Sequence, residues 1–223
     1  MSLLKRSSFI LIVLVLSVTV SYAECSNVYS RSQSMSGKIA LTFDDGPHAT
    51  YTDEILDILA EYNVKATFFI IGENADMYPD VVDRILSEGH EVGSHTYSHC
   101  NICSIDDRAL IDEVYKCENA LGEYRPKLFR PPGGIFNTHD SELLNTLGYN
   151  IILWSVDTKD WTGISSDKII ASVRNNVTDG NIVLFHDYNC HVSGTPDALR
   201  VLIPELISQN YQLVTVSELL SLE

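Results

Sequence analysis

Two aspartates stand side by side at Asp44-Asp45, closing an apolar run and followed by Gly46-Pro47. Like charges at that spacing repel, and a bound cation relieves the repulsion. The competing use of such residues is to cap a helix start. Two histidines sit four apart in His95-Thr96-Tyr97-Ser98-His99. On a helical turn that spacing would put both imidazoles on one face, within reach of one metal. One Asp and two His make a nitrogen–oxygen ligand set with positions left for water. It suits Zn2+ and is open to Co2+, Ni2+ or Mn2+ by ligand type.

Each polar cluster comes at the end of a short apolar run. Strand-like runs cover 39–43, 66–71, 91–94, 128–130, 151–154, 182–185 and 212–216. Helical patterns fill the gaps at 53–62, 79–88, 105–121, 141–147, 167–175 and 197–209. Strand–helix alternation predicts a parallel α/β fold with crossover helices, and about seven such units suit a barrel better than an open sheet. Asp44-Asp45 follow the first strand, His95 and His99 the third, and Arg130 ends the fourth. Asp157 and Asp160 follow the fifth, and His186-Asp187 close the sixth. All fall at the C-terminal ends of strands, where such barrels carry their chemistry.

Five segments in order carry a resemblance. They are Thr42-Phe43-Asp44-Asp45-Gly46-Pro47, Ser94-His95-Thr96-Tyr97-Ser98-His99, Arg130-Pro131-Pro132-Gly133-Gly134, Asp157-Thr158-Lys159-Asp160-Trp161 and Leu184-Phe185-His186-Asp187. Together they resemble the motifs of the polysaccharide deacetylases, the NodB-type domain of carbohydrate esterase family four. The resemblance runs from about residue 38 to the C-terminus. It implies a distorted (β/α) barrel, with Asp45, His95 and His99 holding Zn2+, Co2+ or another divalent transition metal. It implies Asp44 as the general base on the attacking water and His186 as the general acid for the leaving amine. Arg130 would orient Asp44. Asp160, with Asp157 as second choice, would brace His186 and raise its pKa. Leu184 and Trp161 would wall the pocket for the acetyl methyl, core packing being the other use of Trp161. One position departs from the family: Gly133 stands where an aromatic residue, most often Tyr, is usual. Its N–H remains available to a developing oxyanion, but no ring shapes the groove, so weak activity or an altered substrate is an open reading.

Composition narrows the setting. Lys5-Arg6, an apolar run over 9–20 and Ser21-Tyr22-Ala23 read as a signal peptide, 1–23, with a membrane anchor as the alternative. That leaves an arm, 24–36, and one domain, 37–223. The net charge of −15 becomes −17 once Lys5 and Arg6 are lost, which argues against a nucleic-acid partner. No stable membrane insertion is expected after cleavage. The product is read as a secreted or cell-wall monomer. Of the cysteines, Cys25 and Cys190 are expected to pair, leaving Cys100, Cys103 and Cys117. Asn176-Val177-Thr178 is a glycosylation sequon. The sequon and cysteines favour chitin, or its oligomers, as the acetylated amino-sugar substrate. Acetyl xylan, peptidoglycan, and a non-catalytic wall-binding role are the alternatives.

Overall fold

The computed structural model describes residues 27–34, 36–188 and 193–222. The chain opens with β1 (Val28–Tyr29), β2 (Lys38–Asp44), α1 (Tyr51–Glu61), β3 (Thr67–Ile70), α2 (Gly72–Met77) and α3 (Pro79–Ser87). It continues through β4 (Glu91–Ser94), α4 (Asp107–Ala120), β5 (Leu128–Phe129), α5 (Thr138–Thr146), β6 (Asn150–Ile152) and β7 (Val156–Asp157). It closes with α6 (Ser166–Asn176), β8 (Ile182–His186), α7 (Thr195–Ser208), β9 (Gln212–Val214) and α8 (Val216–Leu220).

Strand pairing is parallel throughout, in the order β1-β6-β5-β4-β3-β2-β8-β7, with β9 on β2. β3 and β9 share one edge of β2, taking its upper and lower halves. The stretch 150–157 carries the sheet round: β6 pairs with β5, and β7 pairs with β8. A bridge from Arg31 to Asn181 ties the segment after β1 to the start of β8. The result is a distorted (β/α) barrel.

Period-two alternation decides what faces inward. Along β2, Ile39, Leu41 and Phe43 pack into the main core beneath the helices, while Ala40 joins the cluster of Phe69, Leu128, Ile152 and Ile182 on the opposite face. Thr42 and Asp44 share the face of Ala40. Along β8, Val183 and Phe185 belong to the main core and Ile182 to the opposite cluster, so Leu184 and His186 point with Ile182. Register then sets Asp44 beside His186 and Thr42 beside Leu184. Both faces are covered, which explains why these strands read as continuous apolar runs.

The structure departs from the sequence reading in several places, and the expected arm, 24–36, contributes β1, which pairs with β6. The strand expected at 151–154 is β6, which ends at Ile152, where the carbonyls of Ile152 and Leu153 accept from Arg130; β7 follows beyond the expected range, at Val156–Asp157. The last strand stops at Val214, since Thr215 caps α8 by accepting from the Glu218 N–H at 3.3 Å. The short α2 lacks the apolar repeat that marks a helix in sequence, and it was not expected. Residues 95–99 form a loop instead of a helical turn, with Thr96 at φ 65° and His99 at φ 57°.

Among the described residues no helix is long and apolar enough to cross a membrane. Among the described residues, Cys100, Cys103 and Cys117 form no disulfide. Cys25, Cys190 and the leader 1–23 lie outside the described residues.

Candidate metal centre and active site

A cleft of about 400 Å3 opens at the C-terminal rim, lined by Asp44, Asp45, His95, His99, Gly133, Trp154, Asp157, Trp161, Leu184 and His186. Within it, single ligand atoms of Asp45, His95 and His99 lie within 4.8 Å of one another. Asp45 Oδ1 is 3.4 Å from His95 Nε2 and 3.3 Å from His99 Nε2. That oxygen is buried and has no hydrogen-bond partner. His95 Nδ1 lies 2.7 Å from the Arg130 carbonyl, which can only accept, so Nδ1 carries the proton and Nε2 keeps its lone pair. An orphaned carboxylate oxygen facing two imidazoles fits a divalent ion. Burial works against charge on Asp45, but the nearby imidazoles of His95, His186 and His99 outweigh it and hold its pKa below the ordinary value. Burial, then the charge of His95, holds His99 below its own ordinary value.

Asp44 does not cap a helix; α1 begins at Tyr51, with Thr50 at its cap position. Its Oδ1 instead accepts from Arg130 Nη1 at 2.6 Å. Arg130 is completely buried, a costly position for a cation unless every donor is matched. Its Nη1 also donates to Thr42 Oγ1, and Nε and Nη2 donate to the Ile152 and Leu153 carbonyls. The guanidinium lies 3.9 Å from the Phe69 ring centroid. This locks one oxygen of Asp44. The other, Oδ2, is 3.8 Å from His95 Nε2.

His186 Nδ1 sits 2.8 Å from Asp160 Oδ1, and the His186 backbone N–H donates to Asp160 Oδ2 at 2.8 Å. Thr195 Oγ1 and the Trp161 N–H also donate to this carboxylate. Nδ1 therefore carries the proton, leaving Nε2 to exchange one. Burial lowers the His186 pKa, but the hydrogen bond to Asp160 and the charges of Asp160, Asp44 and Asp45 outweigh it and raise it to about 9. Asp157 lines the cleft without touching His186; its Oδ1 accepts from the Lys159 N–H.

Trp161 is 52% exposed and walls the cleft with Leu184, so it is not a core residue. Gly133 has φ 64°, a conformation that strains any residue with a Cβ. Space beside it is open: a Cβ there would lie 3.7 Å from Ile135 Cδ1. Two residues to which the sequence reading gave no role take part in the site. Trp154 forms a further wall and stands 5.7 Å from the Arg130 guanidinium. Asp187, fully desolvated, accepts from the Gly46 N–H at 3.0 Å and from Thr52 Oγ1 at 2.7 Å, pinning the turn after Asp45. Its place directly after His186 was the one signal for it in the sequence.

Comparison with known proteins adds a name to this arrangement. The family model described as polysaccharide deacetylase matches residues 32–152, a range that ends before Asp160 and His186. A peptidoglycan-N-acetylglucosamine deacetylase of Bacillus cereus is 42% identical over 183 residues, 80% of this chain and 66% of that protein. The chain thus spans just under two thirds of that relative's length. A chitooligosaccharide deacetylase of Rhizobium leguminosarum bv. trifolii is 34% identical over 189 residues, 78% of this chain and 88% of that protein. Among solved structures, a peptidoglycan N-acetylglucosamine deacetylase in complex with 4-naphthalen-1-yl-N-oxidanyl-benzamide matches with a TM-score of 0.86 at 36% identity. The match covers 92% of this chain and 97% of that one.

Proposed function

The chain belongs to the polysaccharide deacetylase family, and on that premise we propose that it hydrolyses N-acetyl groups of N-acetylglucosamine residues in peptidoglycan. One observation carries the chemistry. The unpartnered Asp45 oxygen faces His95 and His99, with Asp44–Arg130 on one side and His186–Asp160 on the other.

Asp45, His95 and His99 would hold the ion, Zn2+ being our first choice for this donor set. A divalent ion there supplies polarisation of the acetamide carbonyl and a lowered pKa for attacking water. Asp44, with one oxygen tied to Arg130, takes up the water proton on Oδ2 as the new C–O bond forms. His186 Nε2 delivers a proton to the departing nitrogen as the C–N bond breaks, leaving acetate and a free amine. The Gly133 N–H donates to the oxyanion, and Leu184, Trp154 and Trp161 shield the acetyl methyl from water.

Peptidoglycan takes precedence over chitin because the 42% relative and the matched structure both carry that substrate in their names. Of the features that favoured chitin, the described ones, Cys100, Cys103, Cys117 and the sequon at Asn176, are not among the residues that line the cleft. Chitin oligomers are the second reading, supported by the 34% relative. Export through the leader-like segment 1–23 would bring the enzyme to a wall polymer.

The test compares acetate release from peptidoglycan, chitin oligomers and acetyl xylan by the purified chain, before and after chelation. We expect release from peptidoglycan, abolished by chelation and restored by Zn2+ or Co2+. Full turnover in metal-free protein, or release from xylan alone, would sink the reading.

A further inference from the structure

The two loops that carry the ligands are built on costly backbone. Asp45, Thr96 and His99 all have positive φ, at 76°, 65° and 57°. Each such residue costs on the order of 1 kcal/mol or more and persists only where its surroundings hold it. What holds these loops comes from elements outside the cleft.

From one side comes α2 with the residue before it. The Ile71 N–H donates to the Gly46 carbonyl at 3.0 Å, and the N–H groups of Gly72 and Glu73 donate to the carbonyls of Thr96 and Tyr97 at 3.0 and 2.9 Å. Buried Asn74 donates through Nδ2 to the Asp45 carbonyl at 2.7 Å. One short turn thereby cross-links the carboxylate loop to the histidine loop. The packing has no slack, since a Cβ on Gly72 would lie 2.5 Å from the Tyr97 ring. From the other side comes Glu113 of α4. Its Oε2 accepts from the N–H groups of Tyr97 and Ser98 at 3.0 and 2.8 Å, and its Oε1 accepts from Ser98 Oγ at 3.0 Å. Neither Asn74 nor Glu113 lines the cleft.

We infer that Asn74 and Glu113 are positioning residues that set the affinity of the site for its ion by fixing the separation of Asp45 from His95 and His99. The inference rests on the reading that those three residues hold the ion. Asn74 ties down the backbone of one ligand, and Glu113 the two residues directly before another. Removing either lets a left-handed residue relax and widens the distribution of ligand separations.

The test uses the full chain, stripped of metal and titrated with Co2+ against a chromophoric chelator, with the visible Co2+ bands recorded. The variants are Asn74→Ala, Glu113→Ala and Glu113→Gln, with Asp112→Ala as a control at an exposed position of the same helix. Loss of groups that orient metal ligands typically weakens binding by roughly 10- to 100-fold, and that is the loss expected for each alanine variant. Glu113→Gln keeps an acceptor oxygen and should recover part of the affinity, while Asp112→Ala should match wild type. Glu113 is partly exposed, so Glu113→Ala carries the test even where Asn74→Ala does not fold. Folded variants that bind Co2+ as tightly as wild type, with unchanged bands, overturn the inference and leave the ligand assignment standing. A wild-type chain that binds no Co2+ overturns the ligand assignment itself, and the inference with it.

Discussion

Replacing Asp160 by Asn keeps the shape of the group that holds His186 and removes its charge. Burial disfavours the imidazolium, yet the hydrogen bond and charge of Asp160, helped by Asp44 and Asp45, raise His186 to about 9. The ordinary value is about 6.5. The gap between 9 and 6.5, at 1.36 kcal/mol for each pH unit, is about 3 kcal/mol in favour of the charged ring. Asp160 supplies the strongest favourable contributions, so Asp160→Asn should bring His186 to 6.5 or lower. A proton donor works below its pKa, and its activity is lost as pH rises through that value. At pH 8 a group of pKa 9 is about 90% protonated and one of pKa 6.5 about 3%, so turnover on the amide should fall roughly thirtyfold. The alkaline limb of kcat should move down by about 2.5 pH units or more. A cation in the neighbouring site lowers the limb in both proteins, so the separation between them is the quantity to read. Stability follows the same sign. The contribution of about 3 kcal/mol is fully present below pH 6.5 and disappears as pH rises through 9, so wild type and variant should converge across that window. The assays are rate–pH profiles and NMR titration of the His186 ring in metal-free protein. A limb at the same pH in both proteins would refute the coupling.

The two neighbouring aspartates should part company under substitution. Asp44→Asn should keep its ion, since Asn still offers Arg130 an acceptor, but lose roughly a hundredfold or more in turnover with the loss of the base. Asp45→Asn should lose the ion first; elemental analysis beside rates decides, and the reverse pattern exchanges their roles. Gly46→Ala should destabilise the fold, because its Cβ would fall 2.1 Å from Asp187 Oδ2, which Thr52 holds in place. Overpacking of this kind costs about 1–3 kcal/mol, or roughly 2–12 °C in Tm for a domain of this size; an unchanged melting point refutes the clash.

The barrel was legible because its strands are covered on both faces and so read as apolar runs, each closed by a polar cluster. The runs at 39–43 and 182–185 appear one residue longer at each end or at one end, as β2 and β8. Where tertiary partners override local pattern, legibility failed. The carbonyls of Ile152 and Leu153 accept from Arg130, 22 and 23 residues away, where β6 ends, and no local pattern in 151–154 records that. The helical-turn argument for His95 and His99 does not describe how the structure brings them together. The two rings meet because a loop brings them together, with centroids 5.1 Å apart. Asp160 was ranked above Asp157 on the resemblance alone, and in the structure only Asp160 turns its carboxylate to His186. Asn74, Glu113 and Asp187 act through backbone groups distant in sequence, which leaves no periodic trace.

Strand alternation on its own would defeat the site. Asp44 points inward with Ala40 and Thr42, so regular β geometry would send Asp45 outward beside Phe43, into the helix layer. The positive φ of Asp45 ends that alternation and returns its side chain to the cleft, putting two consecutive carboxylates on one side of the sheet. Their environments then separate them. Asp44 has one oxygen committed to a buried guanidinium, whereas Asp45 Oδ1 is buried with nothing to satisfy it but the two imidazoles. The same device recurs around the rim. Among the described non-glycine residues with positive φ, Asp45, Thr96, His99 and Lys159 lie in loops of the cleft, while Asn63, Asn210 and Ser221 follow helix ends. Helix ends tolerate that conformation as ordinary termination. In the cleft it has no such excuse, and each instance either carries a candidate ligand, as at Asp45 and His99, or stands beside His95 or Asp160. The backbone cost is therefore concentrated where a side chain must leave the direction that its strand would dictate, which ties the strain to the chemistry of the site.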